Sequence, residues 1–393
     1  MDFLLSEDQL KLQATIADFA TREIAPVAEQ MDRDGVFPTK LFQQLGELGV
    51  MGIPFSEQWG GLGLGIMDAV LAVEQIARAD QSLAVSVMVS VASALTLERF
   101  GSADQKEKYL PGVVAGRNIC AIAIAIAIAI AGTEPDAGSD TSGFKTRADR
   151  RNDGWVVNGQ KAYITNFGTD ISSFGLVLVV SSDRDAERKA FSLFLVPNGT
   201  PGFMPGERYR KMGWHSSDTR PLYFDDCHLG DEMVVGEPHK GRLLLHKGYQ
   251  QARVFLAACS VGLAQACLDH SVQYAQERQA FGGPIGRLQL IQDMVARMSV
   301  KVDAARLLTY RAACGVDAGH PDIKDLATAK YFATEIGTEC ANLAVQVHGG
   351  WGFMDDCPVS RYYRDNRICT IGDGSSQIQL LLIARALGLD VEF

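Results

Sequence analysis

The sequence of 393 residues has no two cysteines at the short spacing of a redox or zinc motif; its eight cysteines (120, 227, 259, 267, 314, 340, 357 and 369) are scattered. In a chain this long that scatter predicts reduced thiols used as small core residues, not a disulfide framework. The seven histidines show no metal-ligand spacing, so no metal site is expected. Positive charge is in deficit, with 37 Lys and Arg against 47 Asp and Glu, a net charge of −10 and a pI near 5.3. That balance argues against nucleic acid or an anionic membrane surface as the main partner, while allowing a local basic patch for a phosphate-bearing ligand. The longest apolar stretch, residues 119–131, is too short and too alternating to span a bilayer as a helix. The first nine residues resemble neither a secretory signal nor an Arg-rich transit peptide, which makes a cytoplasmic location the expectation. There is no Walker loop, G-x-S-x-G or H-E-x-x-H. Gly61-Leu-Gly63-Leu-Gly65 loosely resembles a dinucleotide-binding glycine loop, but no strand precedes it, and a loop before a helix is the better reading.

What is present is an ordinary globular composition, 47% hydrophobic and 21% charged, in a length that suits two or three domains. Residues 1–120 read as helices: apolar positions recur with helical spacing at 10, 12, 16, 19 and 20, and again over 41–51, 67–79 and 82–99. Residues 121–232 change period. Asn158-Gly159 reads as a hairpin turn between β-branched and aromatic residues, and 176–180, 191–196 and 222–224 are further strand candidates. Residues 233–393 return to helix, over 253–279, from 291 onward, from near 322 toward 346, and over 377–387. Helices, then strands, then helices make an α+β plan: an N-terminal helical domain, a middle antiparallel β-domain and a C-terminal domain resembling a four-helix bundle. Residues 121–130 alternate Ala and Ile without interruption, which predicts a buried strand entering the middle domain. A stripe of Ser82, Ser86, Ser90 and Ser93 along one helix face suits close helix packing, with a polar pocket wall as the other option.

A set of dispersed patterns then carries a resemblance. Thr133-Glu-Pro-Asp-Ala-Gly-Ser-Asp140 is followed by Asn158-Gly-Gln-Lys-Ala-Tyr-Ile-Thr-Asn166, Lys211-Met-Gly to Arg220, and Arg278-Gln-Ala-Phe-Gly282. Val347-His-Gly-Gly-Trp-Gly-Phe353 and Ile371-Gly-Asp-Gly-Ser-Ser-Gln-Ile-Gln379 complete the series. In this order they resemble the acyl-CoA dehydrogenases over essentially the whole chain. The resemblance implies bound FAD. Thr133 and Thr165 match residues that hydrogen-bond the polar edge of the flavin, and Tyr163 matches an aromatic packed against its ring. Arg278 matches the arginine on the pyrophosphate and Phe281 an aromatic near the adenine. Gln289, Gln346, Gly350, Ser375 and Gln377 match further cofactor contacts. Ser139 matches a cofactor and pantetheine contact, while Arg253 and Gly374 match the substrate side of the pocket. Taken singly, the Thr and Tyr positions are also ordinary strand formers, and Arg278 could be a surface ion pair on a helix. The family's cofactor sites use residues of two subunits, so the resemblance also implies a homo-oligomer, a dimer of dimers, with an electron-transferring flavoprotein as acceptor.

The reaction implied is removal of an α-proton from an acyl-CoA thioester while a hydride leaves the β-carbon for flavin N5, giving the trans-2-enoyl thioester. The family's usual base is the Glu of an E-G-T or E-G-S string; here it reads Asp373-Gly374-Ser375, one methylene short. The alternative base position of some members is Ala252 here, which cannot serve. Asp373 is therefore the candidate catalytic residue, against the plain reading of Asp-Gly as a turn dipeptide. Three further readings stay open: the same chemistry on an acyl-carrier-protein thioester, a nitroalkane-oxidase-like flavin oxidase with an aspartate base, and a non-enzymatic flavin-binding homologue.

Overall fold

The computed structural model describes residues 4–123, 133–184, 186–248 and 250–390, without the side chains of 123 and 245–248. Six helices come first: α1 (Glu7–Phe19), α2 (Ala28–Asp34), α3 (Thr39–Glu47), α4 (Ile66–Ala79), α5 (Gln81–Phe100) and α6 (Ala103–Val114). The strands β1 (Ile119–Ala123), β2 (Arg147–Arg151), β3 (Gly154–Thr165), β4 (Ser172–Val180), β5 (Phe191–Pro197), β6 (Phe203–Pro205) and β7 (Thr219–Leu229) follow. Then come α7 (Gly241–Gly248), α8 (Ala252–Glu277), the short pair β8 (Gln279–Ala280) and β9 (Gly283–Pro284), α9 (Gln289–Asp317), α10 (Ile323–His348), α11 (Pro358–Asn366) and α12 (Ser376–Ala386). The α+β plan holds. Of the alternating Ala/Ile run, residues 121–123 lie in β1 and 124–130 fall outside the described residues.

The first and last helical segments share one hydrophobic core, which runs from Ile16 through Val70, Leu83, Phe255 and Leu326 to Cys369. Helix α8 lies at its centre, buried on all sides from Ala252 to Ala264, which is why its sequence shows no polar face. Each fully buried Leu or Phe there contributes about 1.5–3 kcal/mol. The approach of α4 to α8 demands a glycine: a Cβ on Gly262 would sit 2.2 Å from the carbonyl oxygen of Glu74. The serine stripe of α5 is buried in this packing. Ser86 and Ser93 donate back to the carbonyls of Ser82 and Val89, and Ser90 meets Cys120 of β1. The packing reading of that stripe is therefore the better one.

The sheet has its own core of Trp155, Val157, Phe167, Val177, Phe194 and Phe224. Its order is β1-β4-β2-β3-β7-β6, with β5 on β4. The pairings are antiparallel except that β1, and β2 through a single residue pair, run parallel to β4. The expected hairpin turn at Asn158-Gly159 is corrected: β3 runs straight through both residues, and the turn lies at Asn152-Asp153. The register against β7 slips between Val157 and Gly159, which marks a bulge. Gly159 has φ +134° and lies against Thr146, whose Cα would be 2.6 Å from an added Cβ. Asn158 exchanges hydrogen bonds with Asp226 instead of capping a turn. The glycine loop before α4 is an ordinary helix start, because the Asp317 carboxylate takes the amides of Ile66 at 2.6 Å and Met67 at 2.9 Å. An acid already occupies the place a phosphate would need.

Candidate active site

Asp373 sits between a short helical turn (Arg367–Thr370) and α12, where the chain must reverse. It does so through two successive left-handed residues, Asp373 at φ 50° and Gly374 at φ 86°. Aspartate is one of the few side chains that enter this region at modest cost, and glycine enters it freely. Ser375 then caps α12 by accepting from the amide of Ile378. The Gly374 carbonyl receives two side-chain donors, Lys330 Nζ at 2.7 Å and Gln379 Nε2 at 2.9 Å. Asp373 is half-buried and its carboxyl is desolvated, which raises it to about 6, against a pull downward from Lys330 and Arg253. Lys330 is fully buried, and burial lowers its ammonium to about 8. The Cys259 and Cys369 thiols lie in the same region, and burial pushes Cys369 up to about 12 and Cys259 well above its usual range. A carboxyl that titrates near neutrality, with two cations around it, has the properties of a general base.

A second group of residues is assembled at the end of β3. The amide of Ala162 donates to the Thr133 carbonyl at 2.8 Å, which brings Thr133 against the strand carrying Tyr163 and Thr165. Tyr163 is left-handed at φ 62°, 64% exposed, and packed on Tyr209 with ring centroids 5.2 Å apart. Thr165 is part-buried and pairs with Thr219 of β7. The turn leading away from Thr133 is held by a buried ion pair that sequence inspection missed. Lys161 Nζ lies 2.8 Å from Glu134, with the two side chains 0% and 4% exposed. The same carboxylate accepts the amides of Lys145 at 2.7 Å and Thr146 at 3.1 Å. Ser139 lies exposed on this turn.

The remaining predicted residues do not gather here. Arg278 ends α8, and Phe281-Gly282 forms the two-residue tip joining β8 to β9, both with positive φ as a type I′ turn requires. Phe281 is 85% exposed, and Arg278, Gln289, Gln346 and Gly350 are exposed as well. Helices α8 and α10 run in the same direction: Arg253 and Lys330 both act on Asp373 near their starts, and Tyr274 stacks on His348 at 4.3 Å near their ends. Arg278 and Gln346 therefore share one end, about 37 Å along the axis from Arg253. Gln377 is exposed in the first turn of α12. Lys330 was missed although a signal existed: it interrupts the apolar face Leu326, Ala329, Ala333, Ile336 and Cys340 of α10. A separate cleft of about 620 Å³ opens on the β-domain between Arg147, Trp155, Ser181 and His239. Its arginines Arg147 and Arg150 are already paired with Asp149 and Asp231.

The sequence matches three descriptions of one family: acyl-CoA dehydrogenase N-terminal domain over residues 6–117, middle domain over 129–227 and C-terminal domain over 239–388. The short-chain specific acyl-CoA dehydrogenase of Mus musculus mitochondria is 39% identical over 383 residues, covering 97% of this chain and 90% of that protein. The butyryl-CoA dehydrogenase structure from Megasphaera elsdenii superposes with a TM-score of 0.93 at 33% identity, covering 99% of this chain and all of that one. A structure described as PigA with FAD and proline superposes at 0.91 with 28% identity, covering 99% and 100%. With the family matched across nearly the whole chain and the fold reproduced from end to end, the protein belongs to the acyl-CoA dehydrogenase family of oxidoreductases.

Proposed function

We propose that the protein catalyses FAD-dependent α,β-dehydrogenation of an acyl-CoA thioester, with Asp373 as the base. The observation that carries this reading is the Asp373 carboxyl, raised to about 6 by burial on a left-handed turn between Lys330 and Arg253. Near pH 7 most of it is ionised and still basic enough to take a proton, the balance a general base needs. The α-proton passes to the Asp373 carboxylate. The amide of Asp373 is the donor proposed for the thioester carbonyl, where charge develops as that proton leaves. Gly374 allows the substrate to approach the turn closely, Arg253 lies behind the pocket, and Ser139 meets the pantetheine arm.

The residues present fit a flavin dinucleotide. Tyr163 and Phe281 offer exposed aromatic faces, Thr133 and Thr165 offer hydroxyls for a polar rim, and Arg278 offers a planar fork for phosphate oxygens. Gln289, Gln346, Gly350, Ser375 and Gln377 complete the proposed set. Bound FAD supplies the two-electron acceptor to which the β-hydride leaves. Arg278 lies about 37 Å along α8 from Arg253, the cation beside the proposed base, which supports a site completed by a second copy of the chain, within a dimer of dimers. An electron-transferring flavoprotein is the proposed reoxidant, and a cytoplasmic setting is consistent with the composition.

Stopped-flow absorbance of the FAD-loaded protein against a panel of acyl-CoAs tests the reading. Rapid flavin bleaching by at least one chain length is expected. Bleaching only by acyl-carrier-protein thioesters would move the carrier, bleaching only by nitroalkanes would move the chemistry, and no bleaching at all would sink the enzyme reading.

A further inference from the structure

Lys330 lies on the inner face of α10 with none of its surface exposed. Lysine is almost never fully buried without a specific partner, and an apolar side chain of similar length would fill the same space without desolvating a charge. Its ammonium is spent on one backbone atom, the Gly374 carbonyl at 2.7 Å. That carbonyl belongs to the residue immediately after the proposed base, the second of the two left-handed residues that aim Asp373. Gln379 holds the same oxygen from α12 at 2.9 Å, so the turn is clamped from two helices.

We infer that Lys330 is a positioning residue for the reaction: its ammonium locks the Asp373–Gly374 turn through the Gly374 carbonyl, and its charge steadies the Asp373 carboxylate. This builds on the proposed role of Asp373 as the α-proton base. The short acid makes the clamp consequential. Aspartate reaches about 1.5 Å less far than glutamate, one carbon–carbon bond, and displacements of about 1 Å cost catalysis about 10²-fold. A turn free to relax would carry the carboxylate out of range.

The charged and titratable groups around this turn come from three elements. Helix α8 contributes Arg253 and Cys259, α10 contributes Lys330 and Glu335, and the turn before Asp373 contributes Cys369. Glu335 accepts the Ser376 hydroxyl, so its charge is engaged at the start of α12. Burial holds both cysteines as neutral thiols, leaving Lys330 and Arg253 as the cations that favour an ionised Asp373.

Two substitutions separate the roles. Lys330→Gln keeps a donor for the Gly374 carbonyl and loses the charge; Lys330→Met loses both. FAD content and acyl-CoA affinity should stay near wild type in each. Lys330→Met should slow the plateau rate of flavin reduction about 10²-fold and move the acid limb of its pH profile upward. Lys330→Gln should regain most of the plateau while its acid limb stays shifted. An infrared difference titration of the Asp373 carboxyl, identified by its loss in Asp373→Asn and run without substrate, should move the same way in both variants. A Lys330→Met enzyme with the wild-type plateau, acid limb and infrared titration would overturn the inference, leaving the lysine as core filling. If that variant does not fold, Lys330→Gln decides alone through its acid limb and its infrared titration. Wild-type protein that no acyl thioester bleaches would defeat the proposed activity instead, while the infrared titration would still report whether Lys330 controls the carboxyl.

Discussion

Replacing Asp373 with asparagine removes a proton acceptor and a buried negative charge while leaving size and backbone preference almost unchanged, since asparagine also tolerates the left-handed region that φ 50° requires. The two losses should move activity and stability in opposite directions. Burial raises the folded carboxyl from 3.8 to about 6. A folded value above the unfolded one means that the folded protein binds the proton more tightly, so the contribution of Asp373 is most favourable below about pH 4 and is lost as the pH rises through about 6. The stability lost is up to about 3 kcal/mol. Asp373→Asn has no such dependence. Relative to wild type, its stability gain should therefore be smallest near pH 4, grow through pH 5, and level off above about 6. Urea unfolding of both FAD-saturated proteins at several pH values measures that gap. In parallel, flavin reduction by acyl-CoA should fall by ~10²–10⁴-fold in the variant. The wild-type rate should fall about tenfold per pH unit below about 6, as the protonated acid can no longer accept. A stability gap independent of pH would refute the desolvated carboxyl, and a variant reducing its flavin at the wild-type rate would place the base elsewhere.

Two other perturbations probe the scaffold. Glu134→Ala strands the buried Lys161 ammonium and releases the amides of Lys145 and Thr146, so it should cost about 3–5 kcal/mol in chaotrope unfolding, whereas pairing it with Lys161→Met should recover much of that loss. Asp317→Ala uncaps the first amides of α4 and should cost about 0.5–2 kcal/mol, read as a lower melting temperature with little change in flavin content.

Local pattern located the long helices well because each is closed by signals close in sequence. Asp322 caps α10 through the Lys324 amide, and Gly101 follows the last residue of α5. Helix α6 escaped notice because Pro111 lies inside it, although Ser102 and Gln105 form the capping box that announces its start. Asn158-Gly159 misled because a turn glycine and a bulge glycine look alike locally. The difference lies in Thr146 and Asp226, which are distant in sequence. Asp373 was visible as part of a contiguous string. Lys330 was not, because its meaning depends on a carbonyl 44 residues away. The Lys161–Glu134 pair, separated by 27 residues, was hidden for the same reason.

The fate of the thiols has a chemical consequence. Seven of the eight cysteines are buried, and those beside Asp373 are among the most strongly disfavoured from ionising. A reduced flavin that loses electrons to dioxygen releases peroxide next to its own protein, and peroxide attacks the thiolate and not the thiol. With FAD bound as proposed, Cys259 and Cys369 would meet that oxidant fully protonated and shielded by packing. Even the exposed Cys314 has its thiol pushed upward by partial burial and the neighbouring Asp317. On that proposal, a chain with eight sulfhydryl groups would hold a redox cofactor without accumulating sulfenic acid beside the proposed base.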